Sequence, residues 1–235
     1  MSIPFFYIEN LDFSQKKIFL NEETSKHIVQ VLRMNEGERI NLTDGKGALV
    51  GCEILEAHKK HCQVKLIDSR LTTHNSRKIT IAISLLKNTS RFEWFLEKAT
   101  EIGVSEIIPL ICERTEKEKF RFERMNAILI SAMLQSQQCW LPLLLEPVPF
   151  NKIIEESRHD QKFIAHCLPD EKHHLSVLVN KNLSSQIILI GPEGDFTNDE
   201  IRSAIQNRFI AVSLGETRLR SETAGVVAAT LLCID

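Results

Sequence analysis

The chain has 235 residues, 43% of them hydrophobic and 26% charged, with a formal net charge of −2. This length makes one large or two small domains that bury roughly 70–75% of their unfolded surface, so folding requires no disulfide or metal staple. A charge so near zero argues against a protein that coats nucleic acid indiscriminately. Residues 1–78 hold 12 Lys and Arg against 10 Asp and Glu, and residues 79–235 hold 17 against 21. Any affinity for RNA must therefore come from a local basic face.

Cys52, Cys62, Cys112, Cys139, Cys167 and Cys233 form no C-x-x-C pair, which indicates neither a zinc site nor a disulfide framework and fits reduced thiols in the cytoplasm. The opening MSIPFFYIEN has no basic segment followed by an apolar core. The longest apolar stretch, Gly225–Ile234, is half a bilayer span, so neither secretion nor membrane insertion is expected.

Up to Leu71 short strands alternate with tight turns: Phe5–Glu9, Lys17–Leu20, Arg39–Thr43, Ala48–Glu56 and Cys62–Ile67. Asp44-Gly45-Lys46-Gly47 is a hairpin signal, because glycine takes the positive φ that such turns need. One short helix, Ser25–Arg33, interrupts the strands and ends at Asn35-Glu36-Gly37. The pattern predicts a small β-barrel over residues 1–71 and a polar, aperiodic linker over residues 72–78.

From residue 79 to 235 strands alternate with helices. Ile79–Leu86 and Glu106–Cys112 read as buried strands, and Lys162–Cys167 as another. Arg91–Val104 places Phe92, Phe95, Leu96, Ala99 and Ile102 on one helical face, and Phe122–Gln138 does the same with Met125, Ile128, Leu129, Ala132 and Met133. These stripes are read as core. Such alternation predicts an α/β domain with a mainly parallel sheet covered on both faces.

Two strand–loop–helix units close the chain. The apolar run Ile187–Ile190 meets Gly191-Pro192-Glu193-Gly194, and Thr197-x-x-Glu200 is a capping box that starts a helix. Ile210–Leu214 is the next strand, Gly215 the break, Leu219-Arg220 the loop and Ser221 the expected N-cap of a helix over Glu222–Ile234. Loops at the carboxyl ends of parallel strands are where ligands bind, and the following helix offers unpaired N–H groups. Two neighbouring loops predict one pocket. Taken alone, a GPEG tetrapeptide reads more readily as a turn and Arg220 as a solvated cation.

Together, GPEGDF and LGETRLRSETAG resemble the C-terminal signature of the knotted SPOUT methyltransferases, in particular the bacterial 16S rRNA (uracil-N3)-methyltransferase family. His27-x-x-x-Val31-Leu32-Arg33, Gly37 and Asp44-Gly45-x-Gly47 match the spacing of that family's N-terminal PUA-like barrel. Trp94-x-x-Glu97-Lys98-Ala99-Thr100-Glu101-x-Gly103-Val104 and Glu113-Arg114-Thr115 are similar to it in between. The resemblance implies S-adenosyl-L-methionine bound in the loops of a trefoil knot, an RNA-binding barrel, a cytoplasmic homodimer, and 16S rRNA of the small ribosomal subunit as substrate. No metal is implied.

Departures from the family pattern are local. The family's Glu-Gln-Ser and nearby Arg before a Pro are here Leu134-Gln135-Ser136 and Gln138 before Pro142. Its second glycine after GPEG is Asp195, and the Arg two positions after Leu-Gly is Thr217, with Arg218 beside it. No role of the missing Glu and Arg residues carries over.

For the cofactor, a Gly-rich apolar slot predicts contacts from His166, Leu189, Gly191, Pro192, Glu193, Gly194, Leu214, Gly215, Leu219 and Arg220, with Cys167 and Leu168 beside His166 as a third wall. Uracil N3 carries a proton that must leave before attack. Glu193 is the candidate acceptor, and Arg220 the candidate stabiliser of charge on the uracil carbonyls. Glu193 is equally suited to hold its loop by accepting backbone N–H bonds, and Glu222 to interact with its helix dipole. His27, Arg33, Arg114 and Arg218 are the expected RNA contacts; by spacing alone His27 is also an ordinary helix-surface histidine and Arg33 a helix C-terminal charge. Alternatives are a knotted enzyme acting on tRNA or another rRNA site, or a noncatalytic RNA-binding assembly factor. Neither G-x-G-x-x-G nor G-x-x-x-x-G-K-[ST] is present, so dinucleotide and P-loop enzymes are poor fits.

Overall fold

The structure is a computed structural model that describes residues 3–12, 15–73, 77–117, 119–169 and 171–234. It divides into two compact units, residues 1–74 with 133–141, and residues 75–132 with 142–235. The centre of the expected linker, residues 74–76, lies outside the described residues.

The first unit contains β1 (Phe5–Tyr7), β2 (Lys17–Phe19), α1 (Glu22–Lys26), β3 (Arg39–Thr43), β4 (Ala48–Glu56) and β5 (Gln63–Leu71). The strands form one sheet in the order β1-β3-β4-β5-β2, with β1 parallel to β3 and the other neighbours antiparallel. Side chains alternate across a strand, so Val50, Cys52 and Ile54 of β4 turn inward with Ile40, Leu42 and Val64. Their burial holds the unit together.

The expected helix begins earlier than Ser25, because the Asn21 side chain accepts the Thr24 N–H at 2.8 Å and caps it. It also changes character. After Lys26 a π turn runs over His27–Val31, with the Leu32 N–H donating to the His27 carbonyl at 2.9 Å, and Arg33 reverses the chain at φ +55. Val31 and Leu32 are left 68% and 42% exposed.

The hairpin between β3 and β4 forms where the glycines predict it. Asp44 Oδ1 accepts the N–H groups of Lys46 and Ala48, and Gly45 and Gly47 adopt φ of +69 and +99. The Trp140 indole packs on Gly47: a Cβ there would lie 2.3 Å from a ring carbon. Gly47→Ala therefore combines strain with a clash, and is expected to lower unfolding free energy by about 2–4 kcal/mol in urea titrations.

The second unit contains β6 (Lys78–Ser84), α2 (Thr89–Ile102), β7 (Glu106–Ile111), α3 (Phe122–Gln135), β8 (Leu143–Leu144), β9 (Val148–Pro149) and α4 (Phe150–Glu156). There follow β10 (Gln161–Ala165), β11 (His173–His174), α5 (Leu175–Leu178), β12 (Ser185–Ile190), α6 (Asn198–Gln206), β13 (Ile210–Ser213) and α7 (Ser221–Cys233). All ladders are parallel, in the order β11-β13-β10-β12-β6-β7-β8, with β9 also on β7. β6, β7 and β12 are buried along nearly their whole length, as a sheet covered on both faces requires. The α/β expectation with a mainly parallel sheet is met.

Helix ends follow their caps. Asn88 starts α2 by accepting the Ser90 N–H at 2.9 Å, and left-handed Gly103 ends it. Thr197 and Glu200 form the expected capping box of α6. Ser221 is not an N-cap: Arg220 takes that place with extended backbone and no capping side chain, and Ser221 is the first, buried, helical residue. Where α7 crosses α2, a Cβ on Gly225 would lie 2.7 Å from the Phe95 ring, so the close approach depends on glycine. Among the described residues no helix is long and apolar enough to cross a membrane.

Candidate functional site

In the sheet order, β13, β10 and β12 are neighbours, so their carboxyl ends open on one place. A cavity of about 680 Å³ lies there, a size suited to a drug-sized ligand. Its first wall is the loop after β10, with His166, Cys167, Leu168, Pro169 and Lys172. The second is the turn after β12, with Gly191, Pro192, Glu193 and Asp195, and the third runs from Val212 through Ser221.

The turn after β12 is held by several bonds. A Cβ on Gly191 would approach the Phe196 ring at 3.1 Å and the Phe196 nitrogen at 3.2 Å, so a side chain there would force Phe196 to shift by a few tenths of an ångström. Glu193 is exposed, and its Oε1 accepts the Lys87 N–H at 3.1 Å, which ties the turn to the loop before α2. Arg114 Nη1 donates to the Gly194 carbonyl at 2.7 Å and to the Phe196 carbonyl at 3.4 Å. Farther on, Glu200 Oε1 accepts the Glu113 N–H at 2.9 Å, fastening the start of α6 to the same region.

The other walls bring charge of both signs. His166 is 7% exposed, with the Lys172 ammonium 3.3 Å from its Nδ1; the same ammonium donates to the Leu168 carbonyl. Burial pushes the Cys167 thiol pKa up and Asp195 adds to this, while Arg218 and Lys172 oppose it. Arg220 is exposed at the start of α7, and its carbonyl accepts the Ala224 N–H at 2.8 Å. Glu222 is buried, with Oε1 3.6 Å from Arg91 Nε, so it serves an ion pair besides its place in the first helical turn.

Of the residues expected at the cofactor, the cavity brings together His166, Gly191, Pro192, Glu193, Leu214, Gly215, Leu219 and Arg220, and it adds Arg218 from the expected RNA set. Leu189 does not line it: the side chain is fully buried in the core with Ile108, Phe196 and Ile201. Gly194 does not line it either, since the turn directs its carbonyl to Arg114. Arg114, an exposed residue, thereby helps hold the loop through Nη1. His27 and Arg33 are exposed in the other unit, His27 edge-on to Phe6 at 5.7 Å between ring centroids. No sequence motif marks Lys172, and Asp195 stands out in the sequence only as a non-glycine residue after GPEG.

The model of an RNA methyltransferase domain matches residues 73–233, and that of an RNA methyltransferase PUA domain matches residues 20–67. The ribosomal RNA small subunit methyltransferase E of Synechocystis sp. is 31% identical over 209 residues, covering 86% of this chain and 68% of that protein. The protein of the same name from Buchnera aphidicola is 30% identical over 241 residues, covering 98% and 92%. The crystal structure of a probable rRNA-methyltransferase from Porphyromonas gingivalis superposes with a TM-score of 0.87 at 37% identity, covering 97% of this chain and 95% of that one. The ribosomal RNA small subunit methyltransferase E of Neisseria gonorrhoeae bound to S-adenosyl methionine also gives 0.87, at 28% identity and the same coverages. With a matching model over most of its length and a relative above 30% identity, the chain belongs to the ribosomal RNA small subunit methyltransferase E family.

Proposed function

We propose that the protein transfers a methyl group from S-adenosyl-L-methionine to N3 of one uridine in 16S rRNA of the small ribosomal subunit. The observation that carries this reading is the convergence of three strand-end loops on one cavity in a chain of this family. The cavity suits the cofactor chemically. Lys172, Arg218 and Arg220 offer partners for a carboxylate, Glu216 for a cationic centre, and Leu214, Leu219 and Pro192 an apolar surface for adenine. When bound, adenosylmethionine supplies a methyl group already made reactive by its sulfonium.

The chain's own part is positioning, proton removal and charge stabilisation. His166, Gly191, Pro192, Leu214, Gly215 and Leu219 form the cofactor walls. Glu193, exposed at the rim, takes the N3 proton of an unpaired or flipped uracil. Its bond to the Lys87 N–H uses Oε1 and leaves Oε2 for this task. Arg220 faces the carbonyl oxygens on which charge develops as the proton leaves. Arg218 at the cavity, Arg114 beside the turn after β12, and His27 and Arg33 in the first unit contact rRNA.

The reading includes residues 1–71 as the RNA-binding module and 79–235 as the methyltransferase domain, a trefoil knot in the latter, a homodimer, and a cytoplasmic location. Incubation with labelled adenosylmethionine and small subunits lacking the modification, followed by digestion and mass spectrometry, should yield N3-methyluridine at one site. A different methylated nucleoside, or transfer to tRNA instead, would contradict it.

A further inference from the structure

Asp195 ends the turn after β12 at φ +62, a region that costs a residue with a Cβ more than glycine and that Asp and Asn enter chiefly where their short side chains hydrogen-bond locally. Such a cost persists where the surroundings over-determine the conformation. Two hydrogen bonds do so here. Oδ1 accepts the N–H of Phe196 at 2.8 Å, within the turn, and Oδ2 accepts the N–H of Cys167 at 2.8 Å, from the loop after β10. The second bond joins two separate walls of the cavity, and both its partners line that cavity. Both bonds end on a carboxylate, the stronger kind of acceptor.

We infer that Asp195 is a positioning residue: its carboxylate holds the wall that carries His166 and Cys167 against the wall that carries Gly191, and so sets the width of the cofactor slot. The inference rests on the cofactor reading above. Glycine at this position would relieve the backbone but leave the Cys167 N–H without its acceptor. A residue that merely fills the turn and one that spaces the walls therefore predict opposite results.

The test compares Asp195→Gly and Asp195→Asn with the unaltered protein. Asp195→Gly is expected to weaken adenosylmethionine binding, measured by calorimetry, about tenfold or more, while the Tm of the free protein stays or rises. Asparagine tolerates the left-handed conformation and keeps one carbonyl oxygen, so Asp195→Asn should recover part of the affinity. Amide exchange at Cys167, followed in the free protein, should quicken in Asp195→Gly. Unchanged affinity in Asp195→Gly, or unchanged exchange at Cys167, would overturn the inference. Failure of the unaltered protein to bind adenosylmethionine would instead overturn the cofactor reading, and the exchange measurement separates that failure from a failed tie between the walls.

Discussion

Replacing Glu193 with glutamine is expected to cut the rate of methyl transfer at saturating cofactor and RNA by roughly 10²–10⁴-fold. The amide is nearly the same size and shape, and its carbonyl oxygen still accepts the Lys87 N–H that Glu193 Oε1 accepts at 3.1 Å, so the turn keeps its tether. What it loses is the capacity to take a proton. Binding of cofactor and RNA should change little, since the carboxylate is needed only as N3 is deprotonated. Thermal stability, cofactor affinity and single-turnover rate on one preparation distinguish the roles. An unchanged rate would remove Glu193 from the chemistry and leave it as the residue that ties the GPEG turn to the loop before α2.

Arg220→Ala is expected to lower kcat by about 10²–10³-fold, the scale on which lost electrostatic stabilisation of a developing oxyanion is felt. Stability should hold within roughly 0.5 kcal/mol, because the side chain is exposed and provides no helix cap. A guanidinium that meets charge appearing on the uracil carbonyls acts on kcat more than on KM. A raised dissociation constant for adenosylmethionine with kcat unchanged would move Arg220 from catalysis to cofactor binding. Arg220→Lys keeps the charge but not the planar fork, so a partial loss there points to geometry as well as charge.

The parts of the site written in local chemistry were legible from the chain. Thr197 and Glu200 announce their capping box, Gly191 and Gly215 mark breaks after apolar runs, and adjacent strand ends make the loops converge. What was not legible depends on side-chain direction and on distant partners. β12 is buried on both faces, so no alternation in its sequence tells that Leu189 enters the core while Ile190 borders the cavity. Arg114 lies 80 positions before the Gly194 carbonyl it reaches, and only the fold reveals that its guanidinium ties this turn. Asp195 breaks the glycine pattern locally and is compensated by the N–H of Cys167, 28 positions away.

The fold shows the same division. β3 and β4 carry clear period-two patterns and occupy their expected bounds, whereas the two-residue strands β8, β9 and β11 are too short to show any period. α4 is a seven-residue helix with only Phe150 and Ile154 buried, too little to mark a stripe. Residues 133–141 group with the first unit through long-range contacts that no local pattern encodes, among them Trp140 on Gly47 and the Gly47 N–H donating to the Cys139 carbonyl at 2.8 Å. The π turn at His27–Val31 keeps helical composition while changing its hydrogen bonds, so the sequence reads as an ordinary helix there.

The central claim is that the loops after β10, β12 and β13 together form one adenosylmethionine site. A crystal structure of the protein with S-adenosylhomocysteine addresses it most directly. Density for the ligand between Cys167, Gly191 and Leu219 is the predicted result, with Arg220 at its edge. Density elsewhere on the molecule, or a ligand that touches only one of the three loops, would contradict it.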